Sequence, residues 1–127
     1  MTSQAKRPRI LVVEDEELIF MLIEDVLTEA GYEVVGPAER VADALAIIER
    51  ESDIDCALLD VNLRGEKVFP VARALDARKV RFTFLTGGGN DDLHGPHPEA
   101  LTLMKPFRAP QLLGIIRQMR PDLAPQA

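Results

Sequence analysis

Short apolar runs rich in β-branched residues alternate with segments of helical period along the whole chain, and no other feature narrows the fold as much. Strands that alternate with helices are joined in parallel, because each return crossover is a helix that must cover a face of the sheet. The pattern therefore predicts an α/β domain built from five β-α units. Five strands are expected to lie side by side, with their carboxyl ends along one edge.

The first strand is expected over residues 10–13 and the first helix over 17–30, with Ile19, Leu22, Ile23, Val26 and Ala30 on its core face and Gly31 as its C-cap. "YEVVG" reads as the second strand. "ERVADALAIIER" reads as a helix whose stripe is Val41, Ala44, Leu45 and Ile48. "IDCALLDV" is nearly continuous in apolar residues until Asp60, as a central strand buried on both faces should be. After a turn at Gly65, Val68, Val71, Ala72 and Leu75 give the third helix its core face, with Pro70 tolerated in the opening turn. "VRFTFLT" is the fourth strand. The glycines and prolines of "GGGNDDLHGPHPEA" leave little room for a regular helix between Asn90 and Glu99, so the fourth helix is expected to be short or broken. "ALTLM" makes the fifth strand, and "RAPQLLGIIRQM" the final helix, with Leu112, Leu113, Ile116 and Met119 inward and Pro110 near its start.

At 127 residues the chain has the size of one domain, expected over residues 9–120 between a flexible lead at 1–8 and a flexible tail at 121–127. Acids outnumber bases 21 to 15, and the net charge of -6 argues against a surface made to neutralise nucleic-acid phosphates. Cys56, the single cysteine, has no internal partner and reads as a small core residue, in keeping with a reducing compartment. No apolar run approaches the roughly 20 residues of a membrane span. The opening "MTSQAKRPR" lacks the apolar core of a secretory signal, so a cytoplasmic address is expected.

The polar interruptions are more informative than the average composition. Open parallel sheets bind ligands beyond the carboxyl ends of their strands. Glu14 and Asp15 follow strand one, Asp60 ends strand three, Thr86 ends strand four and Lys105 follows strand five. Three carboxylates meeting in a small volume raise one another's proton affinity unless a divalent cation balances them. Mg2+ fits such a site, since it takes one or two carboxylates, keeps several waters and leaves room for a phosphoryl oxygen. Lys105 could pair with Asp60 in the empty site and with a phosphoryl oxygen in the loaded one, and Thr86 adds a hydroxyl donor.

With this set of residues the chain resembles a response-regulator receiver domain of two-component signalling, over essentially all of residues 9–119. The resemblance implies a flavodoxin-like (βα)5 sandwich with strand order 2-1-3-4-5. It implies that Asp60 accepts phosphate from a histidine kinase or histidine phosphotransfer protein. Asp15, Asp60 and the backbone carbonyl of Asn62 would hold the metal directly, with Glu14 acting through a water. Thr86 would be the switch hydroxyl and Lys105 the counter-charge, with a cis Lys105-Pro106 peptide.

Two features depart from the common family pattern. Thr102 stands where the family usually carries a switch aromatic, and "RFTFLTGGG" is similar to a stand-alone subgroup with a Phe-x-Phe-x-Thr-Gly motif. The three glycines after Thr86 suggest that phosphorylation orders residues 87–99. Taken singly, each site residue also has a plain structural reading: Glu14 to Glu17 as acids favouring a helix N-terminus, Asp60 as a cap, Lys105 as a solvated side chain. His94 and His97 read as solvated loop residues. A receiver-like scaffold that is never phosphorylated remains an alternative, as does a phosphatase with an aspartyl intermediate. "DVN" weakens the latter, because Asn62 stands where such phosphatases place a second aspartate.

Overall fold

The computed structural model describes residues 7–87, 97 and 100–123. Five parallel strands form the main sheet: β1 (Arg9–Val13), β2 (Glu33–Ala38), β3 (Cys56–Asp60), β4 (Arg81–Thr86) and β5 (Leu101–Met104). Their spatial order is β2-β1-β3-β4-β5, the 2-1-3-4-5 order expected. The helices are α1 (Glu17–Glu29), α2 (Val41–Arg50), α3 (Phe69–Ala77) and α4 (Ala109–Met119). The region expected to hold a short or broken helix, and the loop expected to become ordered, lie outside the described residues apart from Gly87 and His97. Residues 1–6 of the lead and 124–127 of the tail also lie outside them.

Side-chain alternation along each strand divides the core into two layers. Ile10 and Val12 of β1 face Phe20, Ile23 and Leu27 of α1 and Leu112, Ile116 and Met119 of α4. Leu11 and Val13 face Ala44 and Ile48 of α2 and Val71, Ala72 and Leu75 of α3. All five residues of β3 are buried, since this strand has neighbours on both sides and helices over both faces. Each fully buried leucine or isoleucine contributes about 1.5–3 kcal/mol.

One predicted stripe is rotated. On α1 the buried residues are Phe20, Ile23 and Leu27, while Leu22 is half-exposed. Successive helical residues lie about 100° apart, so a face centred on Ile23 takes in Phe20 and Leu27 and turns Leu22 to one side. Gly31 follows the helix with φ of 98° and donates its N–H to Thr28 O, which gives the chain its sharp exit towards β2.

A local irregularity positions the first acids. The register between β1 and β2 shifts after Leu11, so that Val13 lies opposite Ala38. Gly36 sits in the shifted stretch at φ of 122°, and a Cβ there would lie 2.7 Å from Val12 O. Glycine is therefore required for this close approach. Beyond the shift, Glu14 donates its N–H to Ala38 O at 2.9 Å, which holds the backbone at the end of β1.

Candidate functional site

Every residue singled out at the strand ends falls on the carboxyl edge of the sheet. Glu14 and Asp15 lie between β1 and α1, Asp60 is the last residue of β3, Thr86 is the last of β4, and Lys105 follows β5. Glu14, Asp15 and Asp60 each offer a carboxylate oxygen within 4.8 Å of the others. Glu14 and Asp60 are buried, whereas Asp15 is only partly covered. Lys105 bridges two of the acids, with Nζ 2.9 Å from Glu14 Oε1 and 3.3 Å from Asp60 Oδ2. Its nearer partner is thus Glu14, although the sequence pointed to Asp60.

The backbone around the acids supplies donors. Asn62 offers its N–H to Asp60 Oδ1 at 3.4 Å, Arg64 to Asp15 Oδ2 at 3.0 Å, and Glu16 to Glu14 Oε2 at 3.1 Å. Arg64 can reach Asp15 because the chain after Asp60 folds into a small antiparallel hairpin, Asn62–Leu63 against Glu66–Lys67. Its turn holds Arg64 at φ of 49° and Gly65 at 86°. The sequence marked only the turn at Gly65; the reach of Arg64 back to Asp15 depends on tertiary placement. Lys105 donates its N–H to Thr86 O at 2.7 Å, joining the ends of β4 and β5, and the Lys105-Pro106 peptide is cis as expected.

Glu16 has a second role beside its place at the start of α1. Its Oε1 lies 3.7 Å from Lys105 Nζ, and it makes no side-chain cap on the helix. It therefore belongs to the outer edge of this charge cluster. Glu17 stays in the first helical turn, where an acid is favoured by the helix dipole.

Burial controls the electrostatics. Removal from water pushes Glu14 up to about 7, with the Asp60 charge adding to the rise and Lys105 opposing it. Asp60 is also raised by burial, against the pull of Lys105. Burial of the Lys105 ammonium works against its charge, but Glu14 and Asp60 outweigh this and leave its pKa above the ordinary lysine value. Negative charge here exceeds what one lysine balances. Glu14 Oε1 is buried, and its neighbour is the Lys105 ammonium, which is shared with Asp60. An all-oxygen set of carboxylates whose buried negative charge one lysine does not balance fits a hard divalent cation.

His97 departs from its expected solvated state. Its ring is largely covered, lies edge-on to Phe82 and Phe84 with centroids 5.3 and 6.3 Å away, and has Nε2 2.6 Å from Asp76 Oδ2. Thr102 is exposed on β5 directly across from Phe84. His94 lies outside the described residues.

A parallel α/β sheet with carboxylates, a hydroxyl and an ammonium at its carboxyl edge defines a class of acidic-site α/β domains. Residues 10–117 match the model of the response regulator receiver domain, and the chain belongs to that family. It is similar to SdrG from Sphingomonas melonis Fr1, at 42% identity and a TM-score of 0.80, over 91% of this chain and 98% of that one. The BeF3-activated conformation of SdrG, from Pseudomonas melonis Fr1, matches at 43% identity and a TM-score of 0.72, over 85% and 92%. The receiver domain of the sensor histidine kinase PA1611 from Pseudomonas aeruginosa PAO1, with a magnesium ion coordinated in its active-site cleft, matches at 25% identity and 0.78, over 90% and 98%. The curated relatives are longer, the chain spanning 36% to 54% of the first of them. Among the described residues no helix is long and apolar enough to cross a membrane.

Proposed function

We propose that the chain is a magnesium-dependent phosphorylation switch in which Asp60 accepts a phosphoryl group from a histidine kinase or histidine phosphotransfer protein and the change is read by a protein partner. The observation that carries this reading is the convergence of Glu14, Asp15 and Asp60 within 4.8 Å, with Lys105 Nζ 3.3 Å from Asp60. The PA1611 receiver domain supports the choice of metal, and the BeF3-activated SdrG supports response to a phosphoryl mimic; each is a property of that relative.

Asp15, Asp60 and the Asn62 carbonyl would hold Mg2+, with Glu14 acting through a water. The bound ion would neutralise the carboxylates and the phosphoryl oxygens that approach them. An Asp60 oxygen then forms a bond to phosphorus as the bond from phosphorus to the donor imidazole nitrogen breaks, with the electron pair staying on nitrogen. Lys105 moves its charge to a phosphoryl oxygen, and the Thr86 hydroxyl donates to another. Hydrolysis of the resulting acyl phosphate resets the switch. The chain catalyses its own phosphate uptake and loss and has no other substrate.

Incubation with acetyl phosphate or phosphoramidate and Mg2+ tests the reading. A switch gains one acid-stable, base-labile phosphoryl group on Asp60, and Asp60→Asn gains none while staying folded. No labelling would favour the scaffold, and turnover of many equivalents would favour a phosphatase.

A further inference from the structure

The residue lying against the aromatic wall of β4 is His97, and its contacts are not those of a loop side chain passing through solvent. Phe82, Phe84 and Thr86 alternate onto one face of β4. Phe84 lies against Phe82 with centroids 5.3 Å apart, and edge-on to Phe69 at 5.8 Å. Phe69 is the first residue of α3, just beyond the hairpin that follows Asp60. Across the sheet, β5 offers this face only Thr102 opposite Phe84 and Met104 opposite Thr86, both exposed.

His97 covers Phe82 and Phe84 from the other direction. Its position is fixed twice. Ala100 donates its N–H to His97 O at 3.2 Å, tying the residue to the start of β5. Asp76, in the last turn of α3, holds the ring nitrogen at 2.6 Å. The imidazole therefore joins α3 to β4, while its backbone carbonyl anchors the residue just before β5; a side chain that merely filled space would need no directional bond.

Resting on the switch function proposed above, we infer that His97 is a positioning residue for Thr86: docked on Phe82 and Phe84 and held by Asp76, it fixes the β4 face from which the Thr86 hydroxyl meets the phosphoryl group. Thr86 is the next residue after Phe84 on that face. A wall free to repack lets the hydroxyl depart from the geometry that the phosphoryl oxygen needs. The carboxylates lie on β3 and the loop after β1, so their hold on the metal does not depend on this wall.

The test compares affinities for Mg2+ alone and for beryllofluoride at saturating Mg2+ in wild type, His97→Ala, His97→Phe and Asp76→Ala. The Asp76 side chain is 57% exposed, so its removal leaves the core in place and guards against loss of fold in the histidine variants. Loss of one such directional contact is expected to weaken beryllofluoride binding roughly fivefold in Asp76→Ala and at least that much in His97→Ala. Mg2+ affinity should not change. His97→Phe keeps the ring packing and should fall between wild type and His97→Ala. Adding His97→Ala to Asp76→Ala should cost no more than His97→Ala alone. Wild-type beryllofluoride affinity in both single alanine variants, even with a lowered Tm, overturns the inference and leaves the switch function standing. Failure of the wild-type chain to take beryllofluoride overturns the switch function and the inference together.

Discussion

The two rims of the sheet carry similar clusters of charge in different surroundings. On the carboxyl rim Lys105 faces Glu14, Asp60 and Glu16; on the amino rim Arg9 faces Glu33, Glu51 and Asp53. Each base meets three acids, and at the amino rim Arg50 adds a second base beside Glu51 at 3.4 Å. The difference is access to water: side-chain exposure is 0% for Glu14 and 11% for Asp60, with Glu16 at the outer edge open at 62%, against 51% for Glu33, 49% for Asp53 and 26% for Glu51. Water screens the surplus negative charge of the amino rim, and contact with Arg9 and Arg50 pulls Glu51 below its ordinary value. At the carboxyl rim burial drives both acids the other way. Surplus charge that solvent can screen is compatible with a purely structural role, whereas surplus charge that is buried calls for a cation.

The largest expected effect that separates the rims is the loss of Lys105. Lys105→Met keeps the length of the stem but leaves the buried Glu14 and Asp60 without their base. It should lower unfolding free energy by about 3 kcal/mol in chelator at pH 8, measured by urea denaturation, and impair switching more than metal binding. An unchanged midpoint would mean that the rim acids are already neutral or solvated, and the contrast would be lost.

Arg9→Ala should do much less. Exposed ion pairs are each worth little, so a loss of about 1 kcal/mol or less is expected, shrinking further as salt is raised, with phosphoryl incorporation at Asp60 unaffected. Because Arg9 holds Glu51 below its ordinary value, this contribution is present at neutral pH. It disappears as the pH falls through the lowered pKa of Glu51. Urea titrations of wild type and variant at neutral and acid pH would show the difference between them closing. A loss as large as that from Lys105→Met would erase the distinction between the rims.

The fold and the main site residues were legible in the sequence because both depend on short-range signals. β-branched runs and helical periods reveal the elements, and parallel connection places every strand's carboxyl end on one edge. Glu14, Asp15, Asp60, Thr86 and Lys105 are therefore assigned to one rim by the order of strands and helices alone. What sequence could not reveal depends on which element packs against which. Leu22 reads as a core residue, but the face that α1 buries is centred on Ile23 and leaves it half-exposed. Arg64 needs the hairpin to reach Asp15, and Glu16 nears Lys105 only once the ends of β1 and β5 share one rim. His97, between prolines on a polar stretch, shows no apolar period at all; its cover of Phe82 and Phe84 depends on α3 presenting Asp76.

Metal placement tests the central claim most directly. Crystals grown or soaked with Mn2+ in place of Mg2+, and measured for anomalous scattering, should show one strong peak at the carboxyl rim in contact with Asp15 and Asp60, and none beside Arg9. A peak at the amino rim, or no peak at saturating Mn2+, would contradict the reading of the buried acids as a cation site.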